Sequence, residues 1–271
     1  MSDPTQSRIT TDLTDRVALV TGAGSETGIG YAAARILAAG GARVAVTSTT
    51  DRIFRRAEAL AAIGMESNGY VADLTDRRAV DQLVRTVLSD MGRIDILVNN
   101  AGMIQVGQTE RSDCFADMRA EDWDRCIDQN LNTCFNVTHR VLPGMIQQQS
   151  GRIVNVSSVT GPLVSNPGAA GYSAGKAAMA GMSRAIAIEA ARHGITINNV
   201  APGWIATGSQ TRQEAVAGRN TPMGRSGTPA EVGQLIAFLA SDDAGYITGQ
   251  LLVIDGGNLL QEYKGPREDY Y

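Results

Sequence analysis

The chain has 271 residues, 43% of them hydrophobic and 19% charged, the balance of a sequence that fills a core rather than staying disordered. Its 24 lysines and arginines against 28 aspartates and glutamates leave a net charge of −4, so there is no general basic field for nucleic acid or an anionic membrane surface. No apolar run reaches the ~18 residues of a spanning helix, and the polar stretch 1–15 lacks the apolar centre of a signal peptide, so a cytoplasmic location without membrane association is expected. Cys114, Cys126 and Cys134 make an odd count without ligand spacing and read as unpaired thiols in a reducing compartment. With His139 and His193 as the only histidines, no metal site is expected.

In chain order, short β-branched runs alternate with longer stretches of helical period. Residues 16–21 read as a buried strand, followed by a glycine-rich turn and a helix over 29–39. A strand at 43–47, a helix at 53–63, a strand at 68–73 and a helix at 76–91 come next, the last with Val80, Leu83, Val84, Val87 and Leu88 at helical spacing. Residues 94–100 form a fourth strand, 103–118 a loop, and 123–147 a long helix expected to break or bend near Pro143. A fifth strand at 152–157, an Ala-rich helix at 172–193 and a sixth strand at 196–201 follow. Thr228, Pro229 and Glu231 give a cap, a first-turn proline and an acid that open another helix, and 251–254 closes as a seventh strand.

This alternation predicts an α/β, doubly wound Rossmann fold, with a seven-stranded parallel sheet flanked by helices on both faces. The whole chain, 1–271, is expected to be one domain with its core at 12–257. The polar, glycine-containing stretch 207–227 is expected to be irregular and to act as a mobile substrate lid. Residues 258–271 are expected to be a C-terminal extension, whose end at 261–271 would cross a subunit boundary or be disordered.

Two motifs carry chemistry. The first is Thr-Gly-Ala-Gly-Ser-Glu-Thr-Gly-Ile-Gly at 21–30, between the first strand and the first helix. A tight turn needs glycine, a pyrophosphate needs close backbone approach, and a helix N-terminus offers free N–H groups; Gly22, Gly28 and Gly30 are placed for these three tasks. The second is Tyr172 and Lys176, four residues apart and so on one helix face. A phenol with its ordinary pKa of ~10 is a poor acid–base group at neutral pH, and an ammonium ~4 Å away at an effective dielectric of ~20 would favour the phenolate by about 4 kcal/mol, bringing that pKa to about 7. Tyr172 would then both give and take a proton.

With these motifs the chain resembles a classical short-chain dehydrogenase/reductase over about 12–257, similar to 3-oxoacyl reductases of that family. It departs in the first turn, where five residues rather than three separate Gly22 from Gly28, a spacing similar to the divergent enoyl-reductase branch. That branch, however, places its tyrosine and lysine seven positions apart. The resemblance implies a nicotinamide cofactor and a catalytic set of Asn130, Ser158, Tyr172 and Lys176. Ser158 would bind the reacting carbonyl, and Asn130 would hold a water linking the lysine to solvent.

It further implies cofactor contacts from Gly22, Ser25 (or Gly24), Gly28, Ile29 and Gly30, and from Asp73 and Leu74 at the adenine. Asn100, Ala101 and Gly102 would lie beside the ribose, and Pro202, Gly203, Ile205 and Thr207 along the nicotinamide, together with Tyr172 and Lys176. At the end of the second strand, Ser48 stands where an NAD enzyme usually carries an acid. With Thr49 and Arg52 it favours NADP over NAD as cofactor, unless Asp51 points at the ribose or these residues only cap the next helix. The expected activity interconverts a ketone and a secondary alcohol of a small-molecule substrate. The alternatives are an enoyl-thioester reductase or a non-enzymatic dinucleotide-binding subunit. A homotetramer through the two long helices and the last strand is implied.

Overall fold

The computed structural model describes residues 11–102, 114–262 and 265. The strands are β1 (Val17–Val20), β2 (Arg43–Ser48), β3 (Ser67–Val71), β4 (Ile96–Asn99), β5 (Gly151–Val156), β6 (Ile195–Pro202) and β7 (Leu251–Ile254). They form one seven-stranded parallel sheet in the order β3-β2-β1-β4-β5-β6-β7. The helices among the described residues are α1 (Ile29–Ala39), α2 (Arg52–Ala61), α3 (Arg77–Met91), α4 (Ala120–Ile127), α5 (Thr133–Gln148), α6 (Ala170–Ala190), α7 (Arg212–Arg219) and α8 (Pro229–Ala240).

Alternate strand residues feed two separate cores. Ala18, Val20, Val44, Val46, Val98 and Val154 pack with Leu37 of α1, Leu60 of α2 and Ile236 of α8. Val17, Leu19, Ala45, Leu97, Ile153 and Ile197 pack with Val84 of α3, Val141 of α5 and Ala187 of α6. Burial on both faces is why the strands read as unbroken apolar runs. The strand order reverses between β1 and β4, which opens a crevice at the C-terminal ends of the central strands.

The expected break at Pro143 is corrected. α5 runs through Pro143, held by Val137, Val141 and Met145 against the sheet, so one missing N–H is tolerated. The interruption lies instead at Asp128–Asn132, a single π-helical turn between α4 and α5. The long helix also begins earlier than expected, at Ala120. The expected irregularity of 207–227 is corrected too, because the stretch contains α7, opened by a reciprocal capping box between Thr211 and Glu214. The helix expected at 172–193 starts at Ala170 and tightens to a 3-10 turn at Ala191–His193 before Gly194. Of the predicted loop 103–118, residues 103–113 lie outside the described residues, as does most of the 261–271 tail. Gln261 itself donates to the carbonyl of Asn220 at the end of α7. Among the described residues no helix is long and apolar enough to cross a membrane, and no group of three or more acidic, cysteine or histidine side chains could hold a metal.

Candidate active site

The turn after β1 is built around Gly22, whose φ of +68° is a conformation that favours glycine. A Cβ at Gly22 would lie 2.8 Å from Cα of Ala101. Asn100 locks the turn, its amide donating to the carbonyls of Thr21 and Gly22 at 3.0 Å each. Gly30 is buried because its Cβ position is taken by the Asn100 side chain and the Gly22 carbonyl. Gly28 is the N-cap of α1 and brings no side-chain bond to the helix end, which leaves the first-turn N–H groups to an anion. Ser25 is exposed and Ile29 half-buried at this mouth.

The end of β2 faces the same turn. A Cβ at Gly24 would meet Nε of Arg52 at 2.5 Å and Cβ of Ser48 at 2.9 Å, so these three residues converge. Ser48 donates to the carbonyl of Thr50 at 2.8 Å. Asp51 occupies the N-cap position of α2 but makes no side-chain cap bond, so Arg52 does not follow an ordinary capping residue. The hydroxyl of Thr50 is buried without a partner, and Arg52 has no carboxylate partner among the described residues. Thr49 is half-buried beside them. Asp73 accepts from the backbone and hydroxyl of Thr75 at 3.0 and 2.8 Å, and Leu74 is buried next to it.

A third cluster sits at the ends of β4 and β5. Lys176, only 3% exposed, donates from Nζ to the carbonyl of Val156 at 2.9 Å. Ser157 donates from Oγ to the carbonyl of Lys176 at 3.1 Å. Burial pushes the Lys176 ammonium down to about 8, while the neighbouring Cys134 and Cys126 thiols act in the opposite direction. Nζ lies 5.7 Å from the centre of the Tyr172 ring. A Cβ at Gly102 would sit 3.3 Å from both Nζ of Lys176 and Oδ1 of Asn130. The Asn130 amide donates to the carbonyl of Cys126 at 3.1 Å inside the π turn, so its Oδ1 is the atom turned toward Gly102. Ser158 accepts from the N–H of Thr160 at 3.0 Å, which fixes its oxygen and leaves its hydroxyl proton to donate elsewhere.

Beneath this cluster runs a polar rung that the motif reading missed. Asn99, Asn155 and Asn199 are in register on β4, β5 and β6. Asn99 donates to Asn155 and to Thr138 at 2.8 Å, and Asn155 donates to Ser183 at 2.9 Å. The sequence signal was an asparagine in the last part of three successive apolar strands.

On the last side, β6 ends at Pro202, whose carbonyl accepts from Val159 at 3.1 Å. Gly203 packs on Asp255, where a Cβ would approach to 2.7 Å. Ile205 bridges to Gly227 across the base of the segment that holds α7, and Thr207 shares a hydrogen bond with Ser209 at 3.0 Å. Gly208 abuts the side chain of Thr27, so the glycine turn and the segment before α7 touch. Trp204 is half-buried.

A family model described as enoyl-(acyl carrier protein) reductase matches residues 22–258. The chain is 41% identical over 262 residues to oxidoreductase UcpA of Salmonella typhimurium, covering 92% of this chain and 97% of that protein. It is 42% identical over 257 residues to 3-oxoacyl-[acyl-carrier-protein] reductase FabG of Thermotoga maritima, covering 92% and 99%. The chain belongs to the short-chain dehydrogenase/reductase family. It is an oxidoreductase of the 3-oxoacyl-reductase-like kind. Among solved structures of this short-chain dehydrogenase/reductase fold, a putative gluconate dehydrogenase from Agrobacterium tumefaciens aligns with a TM-score of 0.84 at 31% identity, covering 93% of this chain and 99% of that one.

Proposed function

We propose that this oxidoreductase interconverts a ketone and a secondary alcohol with NADP(H), using Tyr172 as the acid–base group. The observation that carries the proposal is the gathering of the buried Lys176 ammonium, the Asn130 amide oxygen and the bare backbone of Gly102 beside the Tyr172 ring.

The residues present fit a dinucleotide. The uncapped start of α1 suits a pyrophosphate, and the tight approach of Gly22 to Ala101 leaves a smooth backbone wall. The buried hydroxyl of Thr50 and the guanidinium of Arg52, neither with a partner carboxylate or acceptor among the described residues, suit a 2′-phosphate, which supports NADP over NAD. When bound, the nicotinamide supplies or takes up the hydride. Ser158 donates to the substrate oxygen and stabilises the charge that grows there. Tyr172 gives that oxygen a proton in reduction and takes it back in oxidation. Lys176 holds positive charge near the phenol, and Asn130 sits beside it on the path to solvent. The enoyl-reductase description of the family model is the less favoured reading, because Tyr172 and Lys176 are four positions apart.

The substrate class we favour is a 3-oxo compound, in keeping with the name of the Thermotoga relative. A homotetramer is part of the proposal: Phe135 on α5, Ile188 on α6 and Val253 on β7 are apolar and exposed where two copies would meet. A panel of ketones, alcohols and enoyl thioesters assayed with NADPH and NADH tests the function. Ketone-dependent oxidation of NADPH supports it, and turnover of enoyl thioesters alone rejects it. Light scattering of the purified chain tests the tetramer.

A further inference from the structure

The first turn carries a carboxylate, Glu26, that the proposed activity does not use. Oε2 of Glu26 pairs with Nη1 of Arg56 at 2.9 Å. Arg56 follows Arg52 by one helical turn, so both stems leave the same face of α2. The turn residues that meet them, Gly24 at Arg52 and Glu26 at Arg56, are only two apart. α2 therefore presents two guanidinium groups to the glycine turn. Arg52 has no carboxylate partner among the described residues, whereas Arg56 has Glu26.

Arg56 is also incompletely satisfied. Its side chain is only 17% exposed, it lies 5.4 Å from the centre of the Tyr31 ring, and its Nε is buried with no acceptor. Once released from Glu26, its Nη1 is a charged donor that a phosphate oxygen can take up. Glu26 is exposed, so its hold on Arg56 is a solvent-screened pair that a more highly charged anion can displace.

We propose that Glu26 is a selectivity-determining residue: by neutralising Arg56 it withholds a second guanidinium from the 2′-phosphate and moderates the preference for NADP(H) over NAD(H). The proposal rests on the reading that Arg52 faces the 2′-phosphate, and deepens it. A ribose with a free 2′-hydroxyl gains nothing from Arg56, so Glu26 acts on one cofactor and not the other.

The test is calorimetric titration of the full chain with 2′,5′-ADP and with 5′-AMP, which differ only in the 2′-phosphate. Glu26→Gln is expected to tighten 2′,5′-ADP about tenfold and to leave 5′-AMP within about twofold. Arg56→Met, introduced into the Glu26→Gln chain, is expected to abolish that gain, which separates release of Arg56 from mere removal of a negative charge. Unchanged 2′,5′-ADP affinity in Glu26→Gln, equal tightening of both ligands, or a gain that survives Arg56→Met overturns the proposal. Arg52→Met is the control for the underlying reading. If it leaves 2′,5′-ADP binding intact, the 2′-phosphate site is misplaced and both fall; if it weakens 2′,5′-ADP while Glu26→Gln does nothing, only the role of Glu26 falls.

Discussion

The ammonium of Lys176 donates to the carbonyl oxygen of Val156 at 2.9 Å, tying the first turns of α6 to the end of β5. The bond keeps a buried cation in place, at the cost of its hydration.

That cost has a pH signature. Lys176 is depressed by burial to about 8 from an ordinary 10.5. Between these values the unfolded chain carries a proton that the folded chain lacks, so stability rises with pH, by about 1.4 kcal/mol per unit at most. Cys134 has the opposite sign: burial raises its thiol from 9.0 to about 12, so above pH 9 the unfolded chain loses a proton that the folded chain keeps. The contribution of Lys176 should therefore stand out most clearly between pH 8 and 9. Thermal melts of wild type and Lys176→Met across that range check this: the wild type gains stability relative to the variant. Parallel curves would contradict it.

Asn155 is fully buried and serves Asn99, Ser183 and Cys134 at once. Asn155→Ala is expected to cost about 3 kcal/mol, or a Tm lower by roughly 10 °C, because it leaves buried polar groups unmet. Denaturation monitored by circular dichroism measures it, and a loss below ~1 kcal/mol would mean that the polar rung is not needed.

The strands and the two cores were legible because burial on both faces writes itself as apolar runs, and Gly22, Tyr172 and Lys176 because their spacing has a physical purpose. Helix interruptions were less so. Pro143 is the loud signal, yet the π turn at Asp128–Asn132 is where the helix opens, since packing of Val137 and Met145 outweighs one lost bond. α7 had a readable signal, Thr211 followed by Glu214, that the polar composition of the stretch obscured. The pairs Glu26–Arg56 and Thr27–Gly208 join distant segments, and no local pattern encodes them.

The contact between Thr27 and Gly208 joins the glycine turn to the segment before α7. A methyl group at Gly208 would push the β-branched Thr27 off its rotamer at about 1 kcal/mol, so Gly208→Ala should raise the cofactor KM roughly fivefold. Adding Thr27→Ala should restore it. A KM that Gly208→Ala leaves unchanged, or that Thr27→Ala does not rescue, would show that the contact is incidental.

The most direct test concerns the phenol itself. Tyr172→Phe keeps the ring against Lys176 and removes only the hydroxyl. The variant is expected to bind NADP+ with near wild-type affinity by fluorescence titration while ketone reduction falls by at least ~100-fold. Near-normal turnover in Tyr172→Phe would contradict the assignment of Tyr172 as the proton donor.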